Sequence, residues 1–139
     1  MSRIDNTKEF VPVRIAVLTV SDSRTLTEDK SGQTLVDRIE GAGHIVAQRE
    51  IIRDERVEIA EQLRKWVAMD AIDVIISTGG TGLTGRDVTV EAHRDVYEKE
   101  VDAFGTVFTI KYVPHAVAIK SGYPITTRAV PKRLMFPVL

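Results

Sequence analysis

The chain has 139 residues, 43% hydrophobic and 28% charged, with a formal net charge of −1. Those proportions fit one folded domain over residues 1–139 and exclude a disordered chain, a collagen-like repeat or a long coiled coil. The absence of cysteine excludes disulfides, thiolate metal sites and cysteine nucleophiles, three widely spaced histidines do not make a zinc site, and no apolar run reaches the roughly 20 residues that span a bilayer.

Residues 1–10 read as an N-terminal extension, polar and mixed in charge, with no signal-like pattern. The expected address is therefore the cytoplasm, with no membrane partner. Val13 to Val20 (VRIAVLTV) is an apolar, β-branched run, the pattern of a central parallel strand covered on both faces. A polar stretch follows to Lys30. Ser31 then reads as the N-cap of a helix through about Glu40, with Leu35, Val36 and Ile39 on one side and Gly41 and Gly43 as stop signals. His44 to Ile52 reads as a second strand, and Val57 to Met69 places Val57, Ala60, Leu63 and Val67 at helical spacing, with Ile59 and Trp66 widening the stripe. Asp73 to Ser77 is a third short buried strand, followed by a loop from Thr78 to Asp87 with four glycines and a helix from Thr89, as its cap, to about Glu100. Three alternations of strand and helix predict an α/β fold, a parallel sheet with helices on both faces.

Beyond Asp102 the pattern changes. Residues 1–102 carry 14 Lys and Arg against 20 Asp and Glu, whereas residues 103–139 carry 5 against none, together with four of the five prolines. Val107 to Val113 is compatible with a strand; further on, prolines at intervals of 10, 7 and 6 break the tail into short strands or coil. Five positive charges spread over that length are too thin for a nucleic-acid surface, so no nucleic-acid partner is expected.

Ligands of open parallel sheets bind beyond the carboxyl ends of the strands, which points to the loops 21–30, 53–56 and 78–87. Thr78-Gly79-Gly80-Thr81-Gly82 can turn backbone N–H groups and two hydroxyls toward a phosphate; its alternative is a simple connecting turn. Gly85-Arg86-Asp87 adds a cation and a carboxylate to that loop. Asp54 and Asp87 fall at one edge of the sheet, where two carboxylates suit Mg²⁺ held partly by nucleotide phosphates; alone, each also reads as a turn or helix cap. Ser21-Asp22-Ser23-Arg24 offers two hydroxyls, a carboxylate and a guanidinium, or is a solvated loop. His44 reads as a strand residue, His93 as part of an exposed charged face with Arg94, Asp95, Glu98 and Lys99, and His115 belongs to the tail; none is assigned to catalysis. Trp66 and Phe104 read as core or interface.

VSDSR at 20–24, DKSG at 29–32, GH at 43–44, Asp54, TGGTG at 78–82 and RDVT at 86–89, in this order and spacing, closely resemble the molybdopterin-binding family MoaB/MogA of molybdenum cofactor biosynthesis, the MoaB type more than the MogA type. The resemblance covers about residues 11–110. It implies a three-layer α/β/α fold with a mainly parallel sheet, a trimeric or hexameric homo-oligomer, molybdopterin as substrate, and contact with other proteins of molybdenum cofactor biosynthesis. Active members transfer AMP from Mg-ATP to the terminal phosphate of molybdopterin and release pyrophosphate. By motif match, Asp54 and Asp87 would be the catalytic aspartates that hold Mg²⁺ and position ATP. Thr78, Gly79, Gly80, Thr81 and Gly82 would bind phosphate, with Ser21, Asp22, Ser23, Arg24, Ser31, Gly32 and Arg86 around the same pocket.

Two departures stand out. Val90 occupies a usual proline position, and beyond Ile110 the family's IGTSA-like stretch, SRA segment, PGSP or PGNP loop and closing helix have no counterpart in Lys111 to Leu139. The tail reads as a replaced segment, as after a shift of reading frame, which would remove a sheet strand and half of the pocket. Enzyme and non-catalytic molybdopterin-binding scaffold are therefore both open on sequence, as is a generic phosphate-binding domain.

Overall fold

In the computed structural model, which describes Thr7, residues 9–79 and 88–96 and the segments Arg128–Val130 and Arg133–Val138, the first apolar run becomes β1 (Arg14–Val20). Its alternating side chains serve two cores, as the period of two dictates. Ala16, Leu18 and Val20 join one cluster, and Ile15 and Val17 the other. The chain continues through α1 (Lys30–Gly41), β2 (Ile45–Ile52), α2 (Arg56–Val67), β3 (Val74–Gly79) and α3 (Thr89–Val96). Ile39 of α1 closes the cluster of Ile15 and Val17, with Leu35 and Val36 against it. Ile59, Leu63 and Trp66 of α2 and Ala92 of α3 close the cluster of Ala16, Leu18 and Val20. Helices therefore cover both faces, giving the expected three layers.

Leu18, Ile59, Leu63 and Ile75 are fully buried; a side chain of that size contributes about 1.5–3 kcal/mol by leaving water. Truncating Leu63 to alanine would cost about 2–5 kcal/mol, because the filled space between α2 and the sheet would not close.

The tail supplies β4 (Arg128–Val130) and β5 (Arg133–Val138), and the sheet order is β2-β1-β3-β5-β4. β2, β1, β3 and β5 run parallel, and β4 is antiparallel to β5. The expected loss of a sheet strand is thus corrected: β5 fills the place beside β3, and Val74 to Thr78 pair with Leu134 to Val138. Pro137 does not stop β5, because it lies past Met135, the last residue paired with β4, where a missing N–H breaks no ladder to that neighbour.

Four local expectations also change. The N-cap of α1 is Asp29, not Ser31, since the Asp29 carboxylate accepts from the Gly32 N–H at 2.9 Å. His44 precedes β2; its Nδ1 accepts from the Val13 N–H at 3.2 Å and its ring packs on Phe10. Thr78 and Gly79 belong to β3 rather than to the following loop. Thr89 is the first residue of α3, not its preceding cap, and its hydroxyl donates to the Gly79 carbonyl at 3.1 Å. The helix reading past Val96 to Glu100, the strand reading of Val107 to Val113, Phe104 and His115 lie outside the described residues.

Candidate functional site

The carboxyl ends of β1, β2 and β3 share one edge of the sheet because the three strands are parallel. β1 hands over at Ser21, whose N–H donates to the Ile52 carbonyl at the end of β2 (2.9 Å). The Ser21 hydroxyl then accepts from the N–H groups of Ser23 and Arg24 (3.4 and 3.2 Å), folding the segment into a tight turn. Ser23 and Arg24 are exposed on this turn. Asp22 is exposed as well, and its carboxylate accepts from the Asp54 N–H at 3.1 Å.

Asp54 joins the turn after β1 to the start of α3. It is only 8% exposed, and its Oδ1 accepts from the Val88 N–H at 3.2 Å. One residue thus joins the end of β2 to the turn after β1 through its backbone and to the start of α3 through its carboxylate. It is not the N-cap of α2, a position held by Glu55 without a side-chain hydrogen bond. Gly80, Thr81, Gly82, Arg86 and Asp87 lie outside the described residues.

The entrance to the glycine-rich loop is fixed by backbone shape. Gly79 has φ +92°, and a Cβ there would run into the Val20 carbonyl oxygen of the paired strand, so only glycine fits. Thr78, nearly buried, lies opposite Thr19 in the β1 pairing.

Two buried polar clusters flank this edge. On the α1 side, the Asp29 carboxylate accepts from the Thr19 hydroxyl (2.7 Å) and the Gly32 N–H, and pairs with Arg49 of β2 at 3.2 Å. Burial opposes its ionisation, but the hydrogen bonds from Gly32, Thr19 and Arg49 and the Arg49 charge outweigh that and hold its pKa below the ordinary carboxylate value. Gly32 has no room for a Cβ between Asp29 and Thr19. Gly32 is therefore part of this internal support, while Ser31 is exposed beside it.

On the α3 side, Ser77 shares the parity of Ile75 and meets His93: Ser77 Oγ and His93 Nε2 are 2.8 Å apart, and His93 Nδ1 is 2.7 Å from the Thr89 carbonyl oxygen. The expected exposed position of His93 is wrong, for the residue is fully buried. Burial lowers its pKa to about 4 against the opposing effect of the Thr89 carbonyl, so the ring is neutral at pH 7. The sequence held a signal for this: Thr89, Ala92, His93 and Val96 follow the i, i+3, i+4, i+7 spacing of a buried stripe. Asp29, Thr19, Arg49, Ser77 and His93 are the residues at this edge whose roles the sequence reading missed.

Fold and site together define a three-layer α/β/α domain with a polar edge at the carboxyl ends of its parallel strands. The family profile described as probable molybdopterin binding domain matches residues 16–133, and the chain belongs to that family. The match runs past Ile110, where the sequence resemblance ends, and stops at the first residue of β5. Molybdenum cofactor biosynthesis protein B of Escherichia coli (strain K12) is 44% identical over 100 residues, covering 72% of this chain and 59% of that protein. A crystal structure of a molybdenum cofactor biosynthesis protein B matches with TM-score 0.85 at 32% identity over 94% of this chain and 82% of the other. A MogA structure, with TM-score 0.73 at 21% identity over 90% and 81%, shows the shared fold. The chain spans about three fifths of the length of the curated relatives it matches.

Proposed function

We propose that this protein serves molybdenum cofactor biosynthesis by binding molybdopterin and transferring AMP to it from Mg-ATP. In this reaction a terminal phosphate oxygen of molybdopterin attacks the α-phosphorus of ATP. The bond from that phosphorus to the bridging oxygen breaks, and pyrophosphate leaves with the electron pair. The observation that carries the reading is Asp54, a nearly buried carboxylate held between the turn after β1 and the start of α3 at the carboxyl edge of the sheet.

Transfer between phosphates needs positioning and charge neutralisation rather than a covalent enzyme group. Asp54 supplies a hard oxygen donor suited to Mg²⁺, with Asp87 as the second carboxylate in this reading, and bound Mg²⁺ supplies charge neutralisation on the nucleotide phosphates. Among the described residues no three His, Asp or Glu are grouped to hold a metal ion, so in this reading the nucleotide phosphates provide further oxygens. Thr78 and Gly79 begin the phosphate-binding segment that continues through Gly80, Thr81 and Gly82, with Ser21, Asp22, Ser23, Arg24, Ser31 and Arg86 around the substrate and Gly32, buried against Asp29, supporting Ser31 from behind. A trimer or hexamer and contacts with other proteins of the same biosynthesis belong to this reading, and light scattering tests the first.

A second reading is favoured by one observation: Asp54 Oδ1 already holds the Val88 N–H, as a purely structural carboxylate would. The protein would then bind molybdopterin without turnover. Incubation with molybdopterin, ATP and Mg²⁺ separates the two by pyrophosphate release and AMP incorporation. No helix among the described residues is long and apolar enough to cross a membrane; a cytoplasmic address remains part of the proposal.

A further inference from the structure

The contacts of His93 begin one step away from Asp54. A carbonyl oxygen can only accept, so the bond to the Thr89 carbonyl places the proton on His93 Nδ1. The neutral ring then accepts at Nε2 from the Ser77 hydroxyl. The imidazole thereby ties β3, two residues before its end at Gly79, to the first residue of α3. The Thr89 hydroxyl makes a second tie, donating to the Gly79 carbonyl. Both ends of the glycine-rich loop, Gly79 and Val88, are in this way held by residues that are themselves buried: Ser77 and His93 are fully so, and Thr89 is 1% exposed.

Val88 is the neighbour of Thr89, and its N–H is the donor that fixes Asp54 Oδ1. Any shift of the first turn of α3 away from β3 therefore moves the group that orients the candidate catalytic carboxylate. We propose that His93, with Thr89, is a positioning residue for Asp54, setting the orientation of its carboxylate through the Val88 N–H. The inference rests on the reading of Asp54 as the carboxylate that serves nucleotide transfer, and it assigns no contact between His93 and substrate. A buried histidine suits this task because one ring both donates and accepts, so the two elements are linked without a charge in the core. A glutamine amide retains that pairing, whereas phenylalanine fills the space and makes neither bond.

Amide exchange followed by NMR on the full chain tests the clamp with His93→Phe, His93→Gln, Thr89→Val and Thr89→Ser. Exchange at Val88 is expected to quicken at least about tenfold in His93→Phe and Thr89→Val, with the glutamine and serine variants within about threefold of the parent. Leu63→Ala, which opens the same core away from the clamp, should not single out Val88. Should His93→Phe fail to fold, Thr89→Val against Thr89→Ser decides alone. Unchanged Val88 exchange in the folded variants overturns the proposal. Calorimetric titration with Mg-ATP supplies the second readout: His93→Phe is expected to weaken binding about tenfold and His93→Gln to restore it. A loosened Val88 amide with unchanged affinity would reduce His93 to packing and also overturn the proposal. A parent with a protected Val88 amide that binds no nucleotide would refute the Mg-ATP reading and leave the clamp standing.

Discussion

At the carboxyl edge of the sheet, the α1 side is held by a charged cluster and the α3 side by a neutral one. Asp29 and Arg49, with Thr19 and the Gly32 N–H, fix the first turn of α1 against β1 and β2. Ser77, His93 and Thr89 fix α3 against β3 with a single uncharged ring. The charged cluster supports a helix whose beginning stays in place through its own cap. The neutral one is linked to Asp54 through Val88, the residue before Thr89, and adds no charge to that end of α3. One cluster thus holds its helix with a paired charge and the other without any.

The largest effect is expected where neither cluster can compensate. Gly79→Ala forces a side chain into the left-handed region and into the Val20 carbonyl, and should cost about 4 kcal/mol in urea unfolding. Next, Asp29→Ala removes the cap of α1 and leaves Arg49 without its carboxylate, at a cost of about 3 kcal/mol by the same measurement. A smaller loss from Asp29 than from any exposed ion pair would break the contrast between the two clusters.

The acid limbs sharpen it. His93 has a folded pKa of about 4 against an ordinary 6.5, so the unfolded chain takes up its proton first. Its contribution is complete above pH 6.5 and is lost as pH falls toward 4, by about 2–3 kcal/mol between pH 7 and 4.5. Urea unfolding of His93→Gln should show that part of the pH slope removed. Asp29, lowered from 3.8, contributes above that value and loses its effect only as pH falls through its folded pKa, so Asp29→Asn should flatten the slope below about pH 4. The smallest expected effect is Gly41→Ala at the end of α1, where a methyl meets nothing: a gain of about 0.5 kcal/mol or less.

Period and composition were enough to read the sheet and its covering helices. β1 reads as an apolar strand broken only by Arg14 and Thr19 because both its faces are covered, and Ala60, Leu63 and Val67 with Ile59 and Trp66 mark the buried side of α2, whereas Val57, read on the same stripe, is exposed. The long-range polar partners were beyond that reading. Asp29 looks like a loop residue until Thr19, ten positions earlier, and Arg49, twenty later, are brought to it by the sheet. His93 was hidden by its charged neighbours Arg94 and Asp95, although it lies on the stripe of Thr89, Ala92 and Val96. In the tail, proline spacing suggested short strands or coil, and two short strands form there, with parallel pairing to β3 carrying β5 through Pro137. Of the site, the motif order located Asp54 and the three loops; the bond from Val88 to Asp54, which defines its orientation, depends on α3 returning to β2 and had no local signature.

The most direct test of the account is AMP transfer by Asp54→Asn beside the parent, with molybdopterin, Mg²⁺ and ATP labelled in the α-phosphate. Asparagine keeps the oxygen that accepts from Val88 and removes the charge, so the variant should fold and bind molybdopterin while transfer falls at least about a hundredfold. Equal transfer by the two proteins, or none by a folded parent that binds molybdopterin, would contradict the account.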